Sequence, residues 1–315
     1  MAEMIVKRIS AEEYKSLFPA PLHVFNQVEF NELNKGKVDD VHYLIFLDGR
    51  KVRFGIILGE KKDVLQAPFS APFGAMEERG VQRLSHYMEA VGLLRMYADS
   101  LNRRVRLTLP PSIYDKKSVI SKQFCSVLTR GGDVVHADYN YHYPIGEFPD
   151  FKDRMWPEVR NKFSGAMRQN FDFEVVSSDD IAGVSTVYSI ISRNHAALGY
   201  PLHMSESDII NTSAIIKMDF FIVRHEGCPI AGGMVYHTSS CGRQVIYWGD
   251  VTEHRVLRPM NFLAFKVLEY YNTAGDAEFL DIGPSSSDGI PSLGLCDFKE
   301  GIGCQLTPKF TVELK

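Results

Sequence analysis

The chain has 315 residues, 45% hydrophobic and 23% charged, with a formal net charge of −4. That length suits two domains, and the composition is that of a globular protein. The charge gives no general reason to expect a nucleic-acid partner, which usually demands a strongly basic surface, and no apolar run approaches the length of a membrane-crossing helix.

The opening stretch, MAEMIVKRISAEEY, carries acids where an export signal needs a basic start and an apolar core. Cys125, Cys228, Cys241, Cys296 and Cys304 are odd in number, dispersed and never spaced as CxxC. That pattern speaks against a disulfide framework or a structural zinc site. The expectation is a cytoplasmic protein with no metal.

In chain order, the first clear elements are two strands around Asp48-Gly49 in VHYLIFLDGRKVRFGIILG, a hairpin signal. A long helix, LSHYMEAVGLLRMYADSLN, and a strand, RVRLTLPPS, follow. Pro149 and Pro157 then punctuate PDFKDRMWPEVRNKFSGAMRQNFDF, and residues 157–169 read as a helix bearing Arg160, Lys162 and Arg168. The domain boundary is placed here, giving residues 1–150 and 151–315. The helix charges read as a solvated face or, more sharply, as a surface for a substrate phosphate.

Residues 181–198 carry Val184, Val187, Tyr188 and Ile191 at helical spacing and stop near Gly199. Ser205 with Asp208 has the form of a capping box that opens another helix. A second hairpin lies around Glu226-Gly227 in DFFIVRHEGCPIAGGMVYH, and a strand follows at 244–250. The spacing predicts a helix over 259–274, with Met260, Leu263, Ala264, Val267, Leu268 and Tyr271 on one face. Phe262 and Phe265 lie off that face, so two of its sides should be buried. A strand at 278–283 and a last one near 307–313 complete the chain. The order strands, helix, strand ending in proline and serine occurs in both halves, which suggests a duplicated unit.

Several familiar motifs are absent. There is no Walker loop, no G-x-G-x-x-G after a strand, no HExxH and no G-x-S-x-G. What remains is the element order, together with VRNKFSGAMRQN before the second domain, RVLRP before the long helix, LDIG on the next strand and FKEGIG near the end. Taken together, these resemble the Fem-like branch of the GNAT acyltransferases, the tandem peptidyltransferases of peptidoglycan bridges. In FKEGIG, Ile302 stands where Fem-like sequences tend to show the second aromatic of FK-x-x-FG.

The resemblance implies an α/β fold of two tandem GNAT-like domains, each a mixed, mostly antiparallel sheet flanked by helices. It implies an active site in the second domain, where two central strands splay apart and admit an acyl donor. The reaction it implies is transfer of an acyl or aminoacyl group to an amine of a sugar, peptide or cell-envelope precursor.

Such a reaction needs a base, an N–H facing the developing oxyanion and a hold on the donor. Asp281, at a strand end beside the implied gap, is the expected base. Lys299 is the expected oxyanion or phosphate contact, with the loop 283–297 closing the cleft over them. GNAT enzymes seat coenzyme A pyrophosphate on [QR]-x-x-G-x-[GA] at a helix start, where bare N–H groups face the phosphates. Here the stretch is Arg255-Val256-Leu257-Arg258-Pro259-Met260, which keeps the first arginine but neither small residue. Arg255 and Arg258 are therefore expected to hold a phosphate-bearing donor through their guanidinium forks.

Tyr247 and Trp248, on the strand flanking the gap, and His195, Tyr200 and His203, in NHAALGYPLHM, are the expected substrate contacts. A histidine there is the alternative base. The donor is acyl-CoA or aminoacyl-tRNA, the net negative charge speaking weakly against tRNA. Two readings stand: an acyltransferase, favoured by Asp281 and the long loop, and a catalytically silent scaffold that binds a ligand or partner, favoured by the lost small residues.

Overall fold

In the computed structural model, which describes residues 4–315 apart from the side chain of Lys116, Asp48 faces Lys51 across the Gly49 turn. That hairpin belongs to the first of two units, made of the residues up to Tyr139 with Ser286–Pro291 and Thr307–Lys315. Its elements are β1 (Met4–Ile9), α1 (Ala11–Leu17), α2 (Val28–Asn34), β2 (Asp40–Asp48), β3 (Lys51–Lys61), β4 (Val64–Ala67), β5 (Glu77–Glu78), α3 (Leu84–Ser100), β6 (Arg104–Thr108), α4 (Val119–Thr129) and the start of β7 (Asp133–Pro144). The sheet runs β1-β2-β3-β4-β6, with β5 against β3. It is antiparallel until β4 meets β6, which lies parallel to it. A parallel neighbour needs a crossover, and α3 supplies it. The Tyr87, Val91 and Leu94 side chains of α3 are fully buried.

The second unit, Asn140–Ser285 with Ser292–Leu306, repeats this plan. After α5 (Phe151–Arg154) and α6 (Pro157–Ala166) come β8 (Phe171–Val176), α7 (Ile181–Leu198), α8 (Glu206–Ser213), β9 (Met218–His225), β10 (Cys228–His237), β11 (Gly242–Asp250), α9 (Pro259–Ala274) and β12 (Phe279–Pro284). The strand order is β8-β9-β10-β11-β12, again antiparallel until the last pair, which α9 makes parallel. Glu226 and Gly227 take φ of 51° and 78°, the left-handed pair that a tight antiparallel turn requires. Pro259 sits in the first turn of α9, where its missing N–H costs nothing. The helix is buried on two sides: Leu263, Val267 and Leu268 are fully covered, and Phe265 packs on Phe148, Phe151 and Phe163. Arg160, Lys162 and Arg168 point outward, while Val159, Phe163 and Ala166 form the buried face of α6.

The remaining elements are β13 (Ser286–Ser287), β14 (Ile290–Pro291), α10 (Leu293–Gly301) and β15 (Gln305–Leu314). They move the boundary expected at residue 150. Residues Thr311–Leu314 of β15 pair with β6 in the first unit, and residues Asn140–Pro144 of β7 pair with β12 in the second. The division therefore falls at Tyr139 and Asn140, and the C-terminal residues return to the first unit to find their ladder. The segment 283–297, expected as an open loop, is mostly ordered structure: a two-residue hairpin turned at Asp288 and Gly289, then the start of α10. Asp138 pins that hairpin by accepting from Ser286 Oγ at 2.7 Å and from the Gly289 N–H at 3.1 Å. The five cysteines are free, and among the described residues no helix is long and apolar enough to cross a membrane.

Candidate active site

β11 and β12 run side by side for only three residue pairs, Gly242 with Phe279, Arg243 with Leu280 and Gln244 with Asp281. Each strand then bulges. β11 carries Ile246 as an extra residue opposite Met234 and Val235 of β10. β12 carries Ile282 as an extra residue opposite Tyr141 and His142 of β7. A bulge bends its strand and strengthens the local twist, so two bulges just past the last shared pair drive the strands apart. A cavity of about 460 Å³ lies in the opening, walled by residues 245–250 of β11 and 282–284 of β12.

Asp281 sits at the vertex of this opening and not on its wall. Its carboxylate is fully buried and accepts from Asn140 Nδ2 at 2.8 Å, Gln244 Nε2 at 3.0 Å and the Gly283 N–H at 2.9 Å. These donors come from β7, from the last paired residue of β11 and from the first residue past the β12 bulge. Asp281 thus ties three strands at the point where two of them part. Expected from sequence as the base, Asp281 is absent from the cavity lining, and its carboxylate is occupied by two side-chain amides and one backbone N–H.

Lys299, from α10, does line the cavity. Its ammonium donates to the carbonyl oxygens of Gly283 at 2.9 Å and Pro284 at 3.1 Å. Gly283 takes φ of 75°, a conformation that favours glycine, and this lets one residue present its N–H to Asp281 and its C=O to Lys299. Lys299 is therefore engaged with the strand end.

On the opposite side, α7 ends in a left-handed Gly199, with the Tyr200 N–H closing back on the His195 carbonyl at 3.0 Å. This last turn brings Asn194, His195, Leu198 and Tyr200 to the cavity. The His195 ring stands edge-on to Tyr247 at 5.4 Å and to Tyr200 at 6.5 Å. Its Nδ1 lies 3.2 Å from the Pro201 carbonyl oxygen. A carbonyl only accepts, so in the neutral ring that contact selects the tautomer with the proton on Nδ1 and the lone pair on Nε2. Burial raises the pKa of Tyr247 above that of a free tyrosine, and the backbone of His203 and Met204 hydrogen-bonds its hydroxyl. Trp248 meets Phe298 of α10 edge-on at 6.1 Å, and both line the cavity.

At the mouth, Asp250 accepts from Asn194 Nδ2 at 3.1 Å and from Arg255 Nε at 2.8 Å. Gly249 is required beside it, because a Cβ there would lie 2.7 Å from Asn194 Cγ.

Of the residues expected from sequence, His195, Tyr200, Tyr247, Trp248, Arg255 and Lys299 come together on one cavity, while Asp281, Arg258 and His203 do not line it. Arg258 is exposed and left-handed at φ 62°, at the N-cap of α9. His203 contributes its backbone to Tyr247 in place of its ring. Sequence reasoning missed Asn194, Asp250 and Phe298. Asn194 had a signal: it continues the stripe Val184, Val187, Ile191 as a polar residue on an apolar face. Phe298 opens FKEGIG, where only Lys299 was given a role.

No protein-family model matches the sequence, and no curated protein matches it. Solved structures do match in fold. FemX shares 13% identity, with 98% of this chain and 96% of FemX covered at a TM-score of 0.68. The C-terminal domain of a putative lysylphosphatidylglycerol synthetase from Agrobacterium fabrum shares 12%, covering 97% of this chain and 92% of that one at 0.61. A tandem GNAT protein from the clavulanic acid biosynthesis pathway shares 10%, covering 99% and 98% at 0.60. The chain has the tandem GNAT fold of these proteins: an α/β architecture of mostly antiparallel sheet flanked by helices.

Proposed function

We propose that this chain is an N-acyltransferase of Fem-like type, with its active site in the opening between β11 and β12. The observation that carries this reading is the parting of the two strands after Gln244 and Asp281 over a lined cavity. A planar acyl group lying between them meets backbone N–H groups of the bulged 245–247 stretch, which the β12 ladder no longer covers. Such groups are suited to an oxyanion.

His195 is the base in this proposal. Its Nε2 takes a proton from the acceptor ammonium, and the freed amine attacks the acyl carbonyl. As the tetrahedral adduct collapses and the C–S or C–O bond to the carrier breaks, the nitrogen gives its second proton to the leaving thiolate or alkoxide, and His195 releases the first to solvent. Asp281 and Lys299 hold the β12 wall, and Arg255 meets a carrier phosphate through the nitrogens that Asp250 leaves open. We assign the acceptor to the amines of sugars, peptides or envelope precursors, as the Fem-like sequence resemblance implies, and the reaction to the cytoplasm.

A silent scaffold remains the second reading, because Pro259 removes an N–H from the place where a GNAT helix cradles pyrophosphate. The test is to incubate the purified protein with octanoyl-CoA or alanyl-tRNA and with glucosamine or trilysine, and to weigh the amines by mass spectrometry. Protein-dependent gain of the acyl mass supports the transferase. No gain with any pair, while a donor still binds, assigns the scaffold.

A further inference from the structure

We infer that the donor taken by this cavity carries an extended apolar acyl chain, which fills the opening between β11 and β12 and leaves its anionic carrier outside. The inference rests on the transferase reading and narrows it to one donor class.

The walls are the first reason. Val245, Trp248, Met260, Ile282, Leu295 and Phe298 face a space of about 460 Å³, a size that encloses a whole small ligand. An acetyl or alanyl group would leave most of that wall without contacts, losing both burial and dispersion energy.

The charges are the second. The Lys299 ammonium is turned onto two backbone carbonyls, and the Asp250 carboxylate onto Asn194 and Arg255. Neither points a charge at a polar substituent in the interior.

The start of α9 is the third. Its N-cap, Arg258, makes no side-chain cap, Pro259 has no N–H, and the Asn261 N–H already donates to the Arg258 carbonyl at 3.1 Å. A phosphate finds little backbone there. Arg255, with its side chain 37% exposed, is the cation at the opening, and a single exposed contact of this kind is weak. Affinity must therefore come from the chain. The entrance suits one, since Leu198, Tyr200 and Leu295 line the cavity yet remain 43%, 48% and 41% exposed.

The experiment titrates acetyl-, octanoyl- and dodecanoyl-CoA, below their micelle concentrations, into a Trp156→Phe protein whose remaining indole, Trp248, reports the cavity. Affinity is expected to climb by about fourfold per added methylene until the cavity is full. Leu295→Asp, at an exposed position that tolerates a charge, is expected to weaken dodecanoyl-CoA by at least about tenfold with an unchanged circular dichroism spectrum. Equal or absent binding of all three thioesters overturns the inference, as does dodecanoyl-CoA binding that Leu295→Asp leaves unmoved. Graded binding without transfer to any amine would support the inference and remove the transferase reading. Transfer from acetyl-CoA or alanyl-tRNA with no dependence on chain length would do the reverse.

Discussion

Asp281 and Lys299 hold the same residue from its two ends. The Asp281 carboxylate receives the Gly283 N–H at 2.9 Å, and the Lys299 ammonium donates to the Gly283 carbonyl at 2.9 Å. An anion and a cation thus fix the one left-handed residue on the strand that walls the cavity. The opening between the strands is built in, with charged groups holding the end of β12 where its pairing with β11 has stopped.

If that is their role, Asp281→Ala leaves three buried N–H donors without an acceptor. Unfolding by urea should show a loss of about 3 kcal/mol or more, since bonds to a charged group contribute roughly 1.5–3 kcal/mol each. Asp281→Asn should cost less, because the Gln244 amide can turn to accept. A loss below about 1 kcal/mol for the alanine variant contradicts the role.

His195→Gln keeps size and polarity but removes the base. With a working donor and amine, kcat should fall by about 10²–10⁴-fold while donor KM stays within a few-fold. An unchanged kcat would move the base to another residue.

Glu77, in the first unit, offers a pH readout independent of the cavity. Burial raises its pKa from 4.5 to about 7, although Asn26 and the Leu22 N–H bond it. A raised folded-state pKa means a contribution that is complete below 4.5 and is lost as pH rises toward about 7. Glu77→Gln should remove that slope, roughly 3 kcal/mol across the window. The difference between the two proteins isolates Glu77 from His23 and His142. Burial depresses both histidines, so they lose stability as pH falls. Parallel stability curves for the two proteins from pH 4.5 to 7.5 would show that Glu77 is ionised throughout.

Much of the fold was legible because its signals are local. Asp48-Gly49 and Glu226-Gly227 mark turns by backbone demand, and the stripe from Met260 to Tyr271 marks a helix by its period. Asp288-Gly289 carries the same turn signal but sits among serines and prolines that read as loop. The return of β15 to β6 was not legible, because which edge a last strand finds is settled by tertiary pairing. The site was half visible. The GNAT resemblance singled out His195, Tyr247 and Arg255, but no spacing rule says that Asp281 would face three N–H donors. That depends on two bulges and on Asn140, 141 residues away in sequence. In unit 1, Asp40, His42 and Glu60 cluster as metal ligands do, yet Arg8 holds Asp40 at 2.8 Å and Arg103 holds Glu60 at 2.7 Å, so the cluster reads as an ion-pair network.

If acyl transfer takes place in the opening between β11 and β12, filling that opening must stop it. Ile282→Trp and Val245→Phe approach the cavity from opposite walls. For each, one would measure the rate of acyl transfer to an amine alongside circular dichroism and the melting temperature. Both variants are expected to remain folded and to lose at least about a hundredfold in rate, because the reacting carbonyl is displaced from the bulged N–H groups. Transfer at the wild-type rate by either filled protein would place the chemistry elsewhere.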